Sequence, residues 1–106
     1  MVVNTVTSLD EYRKLTKNHE HIIIRFTAEW CGPCRMIAPD FESLSNDYKD
    51  IHFISVDVDN SPELSTEFGV KAMPTFVSIK NGEKHNEFRG ADREKLKHLV
   101  KSLQEL

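Results

Sequence analysis

Apolar positions change period several times along the chain, and each change marks an element. Valines at 2, 3 and 6 predict a short strand over residues 2–6. Ser8 followed by Glu11 makes a capping box, and Leu9, Tyr12 and Leu15 recur at helical spacing, which predicts a helix over about 8–18. Ile22 to Phe26 is nearly all apolar and β-branched, as in a strand buried on both faces. From Pro33, a residue suited to a first helical turn, Ile37, Phe41, Leu44 and Tyr48 draw one apolar stripe. Pro39 inside that stretch removes a backbone hydrogen bond and is expected to kink the helix.

Ile51, Phe53, Ile54, Val56 and Val58 predict another buried strand. Ser61-Pro62-Glu63 reads as N-cap, first-turn proline and acidic first turn of a short helix that Gly69 stops. Thr75 to Ile79 alternate as a strand, Asn81-Gly82 is a hairpin turn, and residues 83–89 return antiparallel. Beyond Gly90, Leu96, Leu99, Val100 and Leu103 share one face of a last helix. The order β-α-β-α-β-α-β-β-α predicts an α/β fold. Its central five-stranded sheet is mixed but mostly parallel, with helices on both faces and the hairpin as an antiparallel edge. No linker or repeat interrupts it, so residues 1–106 are expected to form a single domain.

Composition narrows the function. A net charge of −3 with no basic block argues against a nucleic-acid partner, and no apolar run reaches the ~20 residues of a membrane span. The first residues carry no signal-peptide pattern, so a cytoplasmic, reducing compartment is the expectation. The chain has two cysteines, Cys31 and Cys34, set between a buried strand and a helix start. That spacing suits a disulfide or half of a metal site. A zinc site needs two more ligands, and the histidines at 19, 21, 52, 85 and 98 offer no second paired spacing, so no metal is expected. A dithiol beside a strand–helix–strand pattern reads as redox-active.

The stretch Ala28-Glu29-Trp30-Cys31-Gly32-Pro33-Cys34-Arg35-Met36-Ile37-Ala38-Pro39 resembles the thioredoxin family. So do Val56-Asp57-Val58-Asp59, Met73-Pro74-Thr75-Phe76, Lys80-Asn81-Gly82 and Phe88-Arg89-Gly90, in the family's order and spacing along nearly the whole chain. The resemblance implies the thioredoxin fold and a protein-disulfide reductase. In such an enzyme the Cys31 thiolate attacks a substrate disulfide and Cys34 resolves the mixed disulfide. Cys31, ahead of the helix, is expected to be the exposed nucleophile, and Cys34, one turn in, the buried partner.

The resemblance further implies a cis Met73-Pro74 bond against the disulfide and a Met73 backbone that pairs with substrate. A docking rim of Trp30, Gly32, Val70, Ala72 and Gly90 would surround them. No bound cofactor is implied, since electrons would come from NADPH through thioredoxin reductase. Peroxiredoxin, ribonucleotide reductase and methionine sulfoxide reductase would be substrates, and a monomer is expected. A thiol oxidase or isomerase of the same fold and a non-catalytic adaptor subunit are the alternatives.

Arg25 departs from the family, whose pattern has a buried aspartate there that helps deprotonate the second cysteine. An arginine cannot be a general base, which leaves water or Glu29 for that role. It either reaches the sheet edge, pairs with Glu29 or Asp57, or stabilises a thiolate by its charge. Asp57, Asp59 and Asn60 read as a solvated loop, and the charged face of the last helix as solubility.

Overall fold

A computed structural model describes residues 3–106, so Val2 of the first predicted strand lies outside the described residues. The elements are β1 (Val3–Thr5), α1 (Leu9–Asn18), β2 (His21–Thr27), α2 (Gly32–Asp47), β3 (His52–Asp57), α3 (Pro62–Glu67), β4 (Thr75–Lys80), β5 (Glu83–Arg89) and α4 (Arg93–Gln104). They occur in the order read from the sequence.

The sheet runs β1-β3-β2-β4-β5. β3 pairs in parallel with both β1 and β2, whereas β4 is antiparallel to β2 as well as to β5. The sheet is thus mixed as expected, but its ladders divide evenly between the two kinds. The segment between β3 and β4, which holds the six-residue α3, does not carry the chain back along the sheet, so β4 starts at the end where β3 stops.

Strand alternation places two cores, one on each face of the sheet. Ile22, Ile24 and Phe26 point toward α1 and α3, packed with Tyr12, Ile54 and Leu64. Ile23 points the other way, into a cluster with Ile37 and Phe41 of α2 and Leu96, Leu99 and Val100 of α4. Position 25 shares the face of Ile23. Phe41 is the hub of this second core: its ring lies 5.2 Å from that of Phe53 and 5.7 Å from that of Phe76.

Local signals work as their chemistry requires. The Ser8 hydroxyl accepts from the Glu11 amide at 3.1 Å, while the Glu11 carboxylate accepts from the Thr7 amide at 3.0 Å. Asn81 and Gly82, at φ 51° and 82°, form the hairpin turn that left-handed backbone permits. α2 stays helical on both sides of Pro39. Ser61 does precede α3, but its hydroxyl makes no cap bond; it is buried without a partner among the described residues. No helix of the described residues is long and apolar enough to cross a membrane.

Candidate active site

The central strand β2 delivers the chain through Ala28 to a helix start, and the N-cap of α2 is Cys31 itself. Its backbone is extended (φ −89°, ψ 108°), so its sulfur turns back over the first helical turn. There Cys31 Sγ accepts from the Cys34 amide at 3.2 Å. Cys31 and Cys34 form a disulfide across Cα atoms 5.3 Å apart. Of the two sulfurs, only that of Cys31 gains from this amide, one of the donors a helix leaves unpaired at its start. That hydrogen bond and the positive end of the helix dipole both favour the anion, so the thiolate belongs on Cys31 when the bond opens.

The expected contrast in exposure is not found. Cys31 is 4% exposed and Cys34 2%. In the disulfide each sulfur covers the other, and Ala28, Val58 and Met73 pack around both. What separates the two cysteines is their surroundings. Cys31 lies between Trp30, 65% exposed, and the half-buried Gly32, while Cys34 lines a cleft on the inner side of α2. A Cβ at Gly32 would meet nothing within 4 Å, so packing does not demand glycine there. The exposed Pro33 follows in the first turn.

The Met73-Pro74 bond is cis, with Pro74 buried and Met73 against the disulfide. The Pro74 carbonyl accepts from the Gly90 amide at 2.9 Å, which ties Gly90 to this loop. Ala72 is exposed, and its carbonyl accepts from the Thr75 hydroxyl at 2.6 Å. Val70 is half-buried and packs on the core beneath α3, so only part of it faces outward.

Arg25 is not where simple pairing rules would put it. β2 is the middle strand, so no sheet edge is within reach, and no carboxylate of the described residues pairs with it. Its Nε donates to Ser55 Oγ at 3.2 Å, across the β2–β3 register, and its guanidinium carbon lies 4.8 Å from the centre of the Phe41 ring. Burial lowers the pKa of this guanidinium from its ordinary value, and the charge of Glu42 opposes that shift. An arginine in this range of environments stays protonated.

Four residues have roles that the sequence pattern did not show. Asp59 accepts from the Trp30 indole N–H at 2.8 Å and fixes the exposed ring; the Asp57 carboxylate, accepting from the Asp59 and Asn60 amides, shapes that loop. Val58 packs on the disulfide, although its apolar alternation pointed only to a strand. Met36, 71% exposed, falls off the stripe of Ile37 and Phe41, and that offset was a readable sign of an apolar side chain in water. Glu29 is exposed, and its carbonyl accepts from Arg35 at 2.5 Å. Among the described residues no three His, Cys, Asp or Glu side chains gather as metal ligands would.

The sequence pattern that defines the family described as Thioredoxin matches residues 2–105. The thioredoxin of Gallus gallus is 42% identical over 104 residues, covering 96% of this chain and 99% of that protein. Thioredoxin-2 of Pyricularia oryzae is 41% identical over 100 residues, 94% of this chain, which spans 58% of that longer relative. Among solved structures, Plasmodium falciparum thioredoxin superimposes with a TM-score of 0.90 at 39% identity, covering 93% of this chain and 97% of that one. A chain solved in work on the thiol-resolving mechanism of yeast mitochondrial 1-Cys peroxiredoxin gives 0.89 at 38% identity, covering 98% and 95%.

Proposed function

The chain belongs to the thioredoxin family, and on that premise we propose how it works as a protein-disulfide reductase. The observation that carries the mechanism is the Cys31 sulfur at the N-cap, hydrogen-bonded by the Cys34 amide. In the reduced protein the Cys31 thiolate attacks one sulfur of a substrate disulfide. A bond forms between Cys31 and that sulfur, the substrate's S–S bond breaks, and the other substrate sulfur leaves as a thiolate that takes up a proton. Cys34, having lost its proton, then attacks Cys31 Sγ. The internal disulfide forms and the second substrate thiol departs. Two electrons and two protons have passed from the dithiol to the substrate.

The substrate chain docks across the apolar rim of Trp30 and Met73, with Pro74 and Gly90 behind it. An extended peptide there can pair with the free backbone of Met73 in the manner of an added strand. Thioredoxin reductase, with electrons from NADPH, returns the disulfide to the dithiol, and no cofactor needs to be bound for the exchange itself. Peroxiredoxin, ribonucleotide reductase and methionine sulfoxide reductase are the partners. The presence of a peroxiredoxin system among the structural neighbours supports the first of them. A reducing compartment such as the cytoplasm suits a dithiol that must be kept charged with electrons. Both sulfurs come from one chain, so a monomer suffices.

Insulin is the test substrate. Protein pre-reduced with dithiothreitol and freed of it should cleave insulin disulfides in stoichiometric amount. With NADPH and thioredoxin reductase it should do so catalytically, read as NADPH consumption. Intact insulin in the first arm would sink the reductase reading; failure in the second alone would sink the recycling route.

A further inference from the structure

Behind the disulfide lies an open cleft of about 310 Å³, lined by Cys34 together with Arg25, Thr27, Glu29, Arg35 and Asp57. Its charges are not equivalent. Glu29 and Arg35 are exposed, and water and salt screen them. One oxygen of the Asp57 carboxylate, Oδ1, accepts from the Asp59 and Asn60 amides, and Arg35 Nη1 donates to the Glu29 carbonyl. Arg25 is half-buried, held in place by the Ser55 hydroxyl and the Phe41 ring, both neutral, with no carboxylate of the described residues in contact. Glu42, which does not line the cleft, acts on it through its charge without contact. A partly desolvated cation with no carboxylate in contact gains from an anion that arrives beside it. The anion this cleft acquires during the cycle is the sulfur of Cys34.

We propose that Arg25 is a positioning residue for the second half of the reaction, its guanidinium stabilising the thiolate that Cys34 becomes before it attacks Cys31. The proposal rests on the reductase reading above. The Cys34 proton leaves to water in the open cleft, so the attack needs no carboxylate touching the sulfur. The charge acts on Cys34 rather than Cys31, whose own anion is served by the Cys34 amide on the other side. A cation that favours the thiolate also favours the reduced protein, which makes this chain a weaker reductant than the same chain with a neutral residue at 25.

The test isolates Cys34 in a Cys31→Ser background and follows thiolate absorbance near 240 nm against pH, with Arg25 intact or changed to Ala, Gln or Lys. Loss of the cation should lower the Cys34 thiolate fraction at neutral pH by about threefold to tenfold in Ala and Gln and move the titration to higher pH, while Lys stays within about twofold. With both cysteines present, Arg25→Gln should slow release of substrate from a Cys31 mixed disulfide about twofold to fourfold at neutral pH, the loss of thiolate outweighing its gain in nucleophilicity. The Gln and Lys variants keep a long polar chain against Ser55, so the comparison survives if Ala fails to fold. Unmoved titrations in Gln and Ala, or Lys behaving like Gln, would overturn the proposal. Insulin cleavage by the wild-type protein reports separately. A shifted titration with intact insulin keeps the coupling and removes the reductase reading, and an unmoved titration with cleaved insulin does the reverse.

Discussion

Cys34→Ser should lower catalytic insulin reduction by at least about a thousandfold and leave the protein covalently joined to its substrate. Cys31 and its helix tip are untouched by this change, so the first exchange proceeds. The second cannot, because a serine hydroxyl does not displace a thiolate and the chain has no other cysteine to substitute. The mixed disulfide therefore accumulates, and it is visible as a heavier species on a non-reducing gel. Cys31→Ser should lose the same activity but form no complex. Turnover above about a hundredth of wild type in Cys34→Ser would mean that resolution uses a sulfur from outside the chain.

The second large effect is on stability. Phe41→Ala should cost about 3–5 kcal/mol in urea unfolding, a large part of the roughly 5–15 kcal/mol that holds a domain of this size together. Phe41 is fully buried where α2 meets the sheet, against Phe53 and Phe76. Removing its ring leaves a cavity that flanking backbone in three elements cannot close. It also removes the surface on which the Arg25 guanidinium lies. Met36→Ala on the same helix, with its side chain in water, should stay within about 0.5 kcal/mol. A loss under about 1 kcal/mol for Phe41→Ala would show that α2 is anchored elsewhere.

Local pattern made much of this legible. The β-branched run at Ile22–Ile24 and the stripe through Ile37, Phe41 and Leu44 announced β2 and α2, and their junction placed the two cysteines. What periodicity does not carry is direction: the sheet was expected mostly parallel with the hairpin as an antiparallel edge, and its ladders divide evenly between the two kinds. Nor does it carry contacts across the register. Arg25 was expected to reach the sheet edge, pair with Glu29 or Asp57, or stabilise a thiolate, and nothing local announced the strand partner Ser55 and the helix residue Phe41 that hold it. The bond from Trp30 to Asp59 spans 29 positions and has no local signature. The burial of Cys31 escaped for another reason: the disulfide itself, with Val58 and Met73 folded over it, covers a sulfur that its place at a helix tip would leave open.

The central claim is that the sulfur of Cys31 is the reactive one. Reduced protein treated near neutral pH with less than one equivalent of iodoacetamide, then digested and mapped by mass spectrometry, tests it most directly. The label should lie almost wholly on Cys31; label shared equally, or found mainly on Cys34, would contradict the account.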